Sequence, residues 1–83
     1  MTLEEFINSE QVAPPEVSQV FAGQGLLNQF LIQLKLGKEE IRVSYLKPQV
    51  YYNKNGSGVY YSVFGVIVDR NKNIIRWLEK DAY

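Results

Sequence analysis

Five of the six tyrosines in this 83-residue chain lie between positions 45 and 61. Aromatic rings beside Lys or Arg can stack on the bases of single-stranded nucleic acid, at roughly 1–3 kcal/mol per base. Tyrosine is also enriched at protein interfaces, and it forms cross-strand pairs inside sheets. The cluster therefore leaves structural, protein-binding and nucleic-acid-binding roles open. The candidate side chains are Tyr45, Tyr51, Tyr52, Tyr60 and Tyr61, with Arg42, Lys47 and Lys54 as basic companions.

The chain has no cysteine and no histidine. These absences exclude a thiolate nucleophile, a Ser-His pair and the thiolate or imidazole ligands of zinc sites. The run from Asp69 to Asn73 is similar to the start of a calcium loop, but Ile74 and Lys80 stand where such a loop needs Gly and Glu. The run therefore indicates a polar turn. We expect neither an enzyme nor a metal or other cofactor.

The zero net charge is unevenly distributed along the chain. Residues 1–25 hold four acidic and no basic side chains, whereas residues 26–83 hold nine basic and five acidic ones. The acidic residues suit the first turns of helices, where the backbone dipole favours negative charge. Alternatively, the acidic segment lies against, or moves away from, a basic sheet. Overall neutrality counts against nucleic acid, because phosphate binding usually needs a visibly basic domain.

Two short helices are expected at the start of the chain. Thr2 and Glu5 have the spacing of a capping box, which predicts a helix from about Leu3 to Ser9. Apolar residues at helical spacing after Pro14 and Pro15 predict a second helix over residues 15–22.

After Gly25 the apolar period changes from 3.6 to 2, which predicts four antiparallel strands. The first contains Phe30 to Leu36, and the second begins at Ile41 and bends or lies at an edge at Pro48. Asn55-Gly56 then predicts a hairpin between two Val-Tyr-Tyr segments. A polar loop, in which an Asn can adopt the left-handed conformation, leads to a last strand over residues 74–78.

These elements predict one α+β domain over residues 1–83, with an acidic helical segment (1–25) and a four-stranded meander (26–83). The strand from Val59 to Val68 is apolar on both faces, which indicates that both are covered. Two short helices cannot cover both. A strongly curled, barrel-like sheet or a second copy of the chain can supply the rest, and we favour a homodimer.

The resulting hypothesis is a small, non-enzymatic interaction module. It binds another protein, or a second copy of itself, through its tyrosine-bearing sheet surface. The alternative is a single-stranded nucleic-acid-binding protein that uses the same tyrosines with Arg42, Lys47 and Lys54. No apolar run reaches the ~20 residues of a membrane span, so we expect a soluble, cytoplasmic protein. The short, neutral, tyrosine- and asparagine-rich chain also suggests a viral or mobile-element accessory protein.

Overall fold

The computed structural model describes residues 1–78. Its elements in chain order are α1 (Leu3–Ile7), α2 (Gln24–Lys35), β1 (Ile41–Asn53), β2 (Gly56–Val68) and β3 (Ile74–Leu78). The strands form one antiparallel sheet in the order β1-β2-β3, so the predicted α+β class is confirmed. Within residues 1–78, no helix has the length and apolar character needed to cross a membrane.

Helix α1 begins with the expected capping box. The Thr2 hydroxyl accepts a hydrogen bond from the Glu5 amide, and the Glu5 carboxylate accepts one from the Thr2 amide at 2.8 Å. The bond to the Thr2 amide holds the pKa of Glu5 below its ordinary value. The helix ends at Ile7, two residues earlier than predicted, and buries Leu3 and Phe6 completely.

The segment predicted as a first strand is helix α2, so the four-stranded sheet is wrong. Its apolar residues alternate along the sequence, but Leu26, Phe30 and Leu34 also recur every four residues and share one face of a helix. Leu26 and Phe30 are fully buried there. The segment is rich in Leu and Gln, which are good helix formers, and Ile32 is its one β-branched residue. Alternation alone therefore could not distinguish the two structures.

Residues 15–22 form turns and bends in place of the predicted second helix. The Ser18 hydroxyl accepts hydrogen bonds from the amides of Val20 and Phe21, which stabilises a local turn. The Phe21 carbonyl is directed to the sheet, where it accepts from the Leu46 amide at 3.0 Å. Local side-chain bonds and the sheet thus use the backbone groups that a helix would have paired internally.

Strands β1 and β2 form the predicted hairpin, with an unbroken register from Ile41 opposite Val68 to Asn53 opposite Gly56. Gly56 has φ +120° after the turn, a conformation that favours glycine. The third strand pairs with β2 over Gly65–Val68, and the register shifts by one residue of β3, because Ile67 lies opposite Arg76 and Val68 opposite Ile74. Pro48 lies within β1, the edge strand of the sheet, where its missing amide hydrogen breaks no pairing with β2.

One core forms where the helices cover one face of the sheet. Phe6 packs edge-on against Tyr45 and Trp77, with ring centroids 4.7 Å and 5.1 Å apart. The three-stranded sheet is not closed, so the barrel-like alternative is wrong. Only the end of β2 at Gly65–Val68 is buried, and the exposed Val59, Tyr60 and Tyr61 correct the expectation that this whole strand is covered. The two-sided apolar pattern therefore describes a buried half and an exposed half.

The loop from Asp69 to Asn73 joins β2 to β3 and holds the start of the chain. Asp69 accepts from the amides of Asn71 and Asn73, and the bond from Asn73 holds the pKa of Asp69 below its ordinary value. Lys72, rather than an Asn, adopts the left-handed conformation, with φ 68°. The Lys72 carbonyl accepts from the Leu3 amide at 2.8 Å, and the Lys72 ammonium lies 3.5 Å from the Glu4 carboxylate.

Candidate functional site

The β1–β2 hairpin extends well beyond the helices as a two-stranded ribbon. We call residues 47–62 the arm and the remaining described residues the body. At about 3.3 Å per residue, the strand from Lys47 to Asn53 spans about 20 Å. The molecule is accordingly elongated, with extents of 50 × 23 × 22 Å. None of the buried core side chains belongs to the arm.

The continuous register fixes which arm residues share a face. Side chains alternate along a strand, and directly paired residues lie on the same face. Odd-numbered residues of β1 therefore continue the face that packs on the helices, which we call the core face. Even-numbered residues of β1 lie on the opposite side, the outer face. Four of the five candidate tyrosines divide equally between these faces.

Tyr51 and Tyr60 lie on the core face of the arm, with ring centroids 6.1 Å apart. Tyr51 is opposite Gly58, and its ring fills the space that a side chain at position 58 would need. Such an aromatic ring over a strand glycine covers otherwise exposed backbone. Both tyrosines nevertheless remain exposed, at 43% and 51%.

The outer face of the arm is more apolar than the core face. Tyr52 is 82% exposed there, and Val50 and Val59 form a directly opposed pair. Tyr61 lies opposite Pro48 on the same face. Contiguous exposed apolar side chains mark interaction surfaces more often than isolated ones do. Both faces of the arm therefore expose aromatic or aliphatic side chains.

Tyr45 does not belong to this exposed surface. It is 3% exposed and packs between Phe6 and Phe64. Burial raises the pKa of its phenol. Tyr45 therefore stabilises the core from which the arm projects, and the accessible tyrosines are Tyr51, Tyr52, Tyr60 and Tyr61.

The three candidate cations are spread along the ribbon rather than gathered at one place. Arg42 lies on the body with its guanidinium over Gly65, on the outer face. Lys47 lies at the base of the arm, with its ammonium 5.2 Å from the centroid of the Phe64 ring. Lys54 lies at the exposed turn. Arg42 and Lys54 are twelve residues apart in sequence, which is a span of about 40 Å along an extended chain.

On the body, the lateral edge of β1, which is turned away from β2, is occupied by two glutamine side chains. Gln29 donates to the Ser44 carbonyl at 2.9 Å and accepts from the Ser44 amide at 2.8 Å. Gln33 makes the same pair of bonds with the backbone of Arg42, at 2.6 Å and 3.2 Å. Four residues apart on α2, the two glutamines lie one turn from each other. They satisfy backbone groups that an unprotected edge strand would offer to another chain.

The protection of this edge ends at the base of the arm. Leu46 is the last protected residue, and its backbone bonds to Phe21 and Ala13. Pro48 follows and has no amide hydrogen to donate. In an edge strand, the backbone N–H and C=O groups of alternate residues point away from the sheet. After Pro48, the next residues of β1 with such outward groups are Val50 and Tyr52. Within residues 1–78, no other segment bonds to their outward backbone groups. The arm therefore offers a short open edge.

A shallow groove lies beside the base of the arm. Its lining is largely apolar and includes Ile7, Pro14, Pro15 and Pro48, with Glu10 as its acidic residue. Glu10 is exposed. The arm itself has Lys47 and Lys54 as its charged residues and no acid. The groove and the tip of the arm are thus of opposite charge.

Sequence reasoning identified the arm tyrosines but missed the residues that define the open edge. The alternating pattern places Gln29 and Gln33 on a predicted strand, although their four-residue spacing also fits one face of a helix. Glu10 had no motif to indicate it. Among residues 1–78, no group of three carboxylate side chains lies close enough to hold a metal ion.

Comparison of the chain with protein-family models, curated proteins and solved structures gives no match.

Proposed function

We propose that this chain is a non-enzymatic protein-interaction module that binds through its arm. One observation carries the proposal: the arm exposes Val50, Tyr51, Tyr52, Val59, Tyr60 and Tyr61 while contributing no side chain to the buried core. Isolated two-stranded hairpins are marginally stable in water. Contact with another protein would stabilise the arm and bury its aromatic surface.

The arrangement of the tyrosines favours protein over nucleic acid. The two faces of a ribbon cannot stack on one strand of bases together, and each face carries only two exposed tyrosines. The cations that would neutralise phosphates are dispersed along the ribbon. Protein interfaces, in contrast, are enriched in tyrosine and depleted in charge at their centres.

Nucleic-acid binding remains the second candidate because the arm has two lysines and no acid. A two-stranded ribbon also fits the major groove of DNA. Fluorescence anisotropy with labelled single-stranded and duplex oligonucleotides at 50 mM salt tests this role. Saturable binding that weakens steeply with added salt would favour nucleic acid.

A test of the protein-binding role compares two surfaces with similar exposure. The arm variant replaces Val50, Tyr52 and Tyr61 with Ser. The control variant replaces Leu31, Ile32 and Leu36, which are exposed on and just after α2. Each protein is analysed for self-association by sedimentation, and for cross-linked partners in extracts of its source cells. Circular dichroism establishes that each variant is folded.

We expect the arm variant to lose the associations of the unmodified chain and the control variant to retain them. If the unmodified chain and the folded arm variant show the same associations, the arm is not the binding surface.

A further inference from the structure

We propose that the arm binds a second copy of this chain, through antiparallel pairing of the two β1 strands at Val50 and Tyr52. This inference rests on the proposed function, because it names the partner and the pairing register of the same surface. It starts from the uneven protection of one strand edge. On the body the lateral edge of β1 is occupied, whereas on the arm no other segment of residues 1–78 bonds to its outward backbone groups.

The register follows from which backbone groups point outward. The amides of Arg42, Ser44 and Leu46 point outward, and all three are bonded. Val50 and Tyr52 are the next residues whose amides point outward, because the intervening Pro48 has no amide hydrogen. Two identical strands can pair these groups when Val50 of one copy lies opposite Tyr52 of the other. Each such pair exchanges both of its N–H···O bonds, and two pairs form around a two-fold axis at Tyr51.

The length of the open edge limits the contact to this register. Sliding the second copy towards the body would bring its strand against the segment that contains Ala13 and Phe21, which already occupies the edge at Leu46. Sliding it the other way would leave few paired residues before the turn. Pairing at Tyr51 therefore uses the whole open edge and forms a closed dimer.

Charge complementarity favours a second copy over an unrelated peptide. In this register Lys54 of one copy lies opposite Pro48 of the other. Pro48 lines the groove that contains Glu10. The basic tip of each arm therefore reaches the acidic groove at the base of the other arm. The contact occurs twice because of the symmetry.

The pairing also supplies the arm with the neighbours it lacks. Two hairpins become a four-stranded antiparallel sheet, which is a more stable arrangement than a two-stranded ribbon. Val50 of one copy gains Tyr52 of the other as a cross-strand neighbour on the outer face. The contact is small, so we expect a dissociation constant in the micromolar range or weaker.

The first test blocks the edge without disturbing the hairpin. Val50 lies on β1 and Ser57 on β2, and their amides point to opposite edges of the ribbon. Val50→Pro removes an outward amide of β1, and Ser57→Pro removes an outward amide of β2. We expect Val50→Pro to raise the dimer dissociation constant at least tenfold in sedimentation equilibrium. Ser57→Pro should change it less than threefold.

The second test reads the register with a disulfide, since the chain has no cysteine of its own. Tyr51→Cys would place two thiols across the two-fold axis, where paired residues are about 4.5 Å apart between Cα atoms and within disulfide range. Val59→Cys is the control, because its two copies would lie three strand spacings apart, about 14 Å. Mild oxidation should therefore link Tyr51→Cys and not Val59→Cys.

The third test reverses the charges. Lys54→Glu and Glu10→Lys should each weaken the dimer by about threefold to tenfold, and the double variant should restore it.

The outcomes distinguish this inference from the proposed function. If the serine arm variant loses association but Val50→Pro does not, the arm binds by another face and the β1–β1 pairing is wrong. Cross-linking of Val59→Cys in preference to Tyr51→Cys would likewise indicate contact between faces. A chain that stays monomeric at 1 mM, while its arm captures a different protein, overturns the second copy as occupant and leaves the proposed function intact.

Discussion

Tyr45 shows how one residue type serves two roles in this chain. The sequence groups it with the arm tyrosines, but Tyr45 belongs with Val43 to the buried core of the body. Strand position alone decides the role, because the core face is covered by helices at Tyr45 and uncovered at Tyr51. A tyrosine cluster in sequence therefore predicts a strand surface without indicating where its cover ends.

Because the pKa of Tyr45 is raised, the free energy of unfolding varies with pH in the alkaline range. A phenol that holds its proton longer in the folded chain than in the unfolded one opposes folding once the unfolded form ionises, near pH 10. The free energy of unfolding should therefore fall as the pH rises above about 10. Spectrophotometric titration of tyrosinate should show one late phase that Tyr45→Phe removes. If Tyr45→Phe retains that phase, the phase belongs to another tyrosine. Tyr52→Phe, at an exposed position, is the control.

Gly25 is required by close packing rather than by an unusual backbone conformation. A Cβ at this position would collide with the carbonyl groups of Gln19 and Val20. We expect Gly25→Ala to lower the free energy of unfolding by about 1–3 kcal/mol, because the backbone of the 13–23 segment must move. Urea denaturation measures the change. Asn28→Ala, on the exposed side of α2, is the control, and equal stability of the two variants would contradict this account.

The two long elements of the sheet were predictable because local chemistry specifies them. Asn55-Gly56 and the flanking Val-Tyr-Tyr segments gave the hairpin, and Thr2 with Glu5 gave the start of α1. Helix α2 was not predictable from alternation, since Phe30 and Leu34 fit both periods, whereas Ile32 and Leu36 fit only the alternating one and are exposed in the structure. Tertiary contacts favour the helix, because Leu26 and Phe30 fill the core while Gln29 and Gln33 form hydrogen bonds with β1.

The glutamine bonds give α2 a second role besides covering the core. Gln29→Ala would leave the amide and carbonyl of Ser44 without their partner, at a cost of about 1–3 kcal/mol. It would also expose an edge of β1 on the body. We expect lower stability in urea together with increased aggregation on heating, measured by light scattering. Asn28→Ala should show neither effect. If Gln29→Ala is as stable and as soluble as the unmodified chain, the edge needs no such protection.

At the scale of the whole molecule, the body and the arm are separable in energetic terms. All fully buried side chains among residues 1–78 belong to the body, and Lys47 and Ser62 are directly paired where the arm begins. Replacing residues 48–61 with an Asn-Gly turn should therefore leave a folded body. We expect its thermal unfolding to remain cooperative by circular dichroism, and the proposed dimer to be absent in sedimentation. Loss of cooperative unfolding would show that the arm contributes to the fold.

The tie between the start of the chain and the β2–β3 loop has a kinetic consequence. The hairpin closes over a short turn, whereas Glu4 and Lys72 are 68 residues apart when they meet. Closing so long a loop is entropically costly before other contacts form, so the hairpin should assemble early and α1 should dock late. Weakening the contact at Lys72 would then accelerate unfolding and leave the folding rate nearly unchanged. Helix α1 is therefore expected to join the fold after the hairpin, although it precedes the hairpin in the chain.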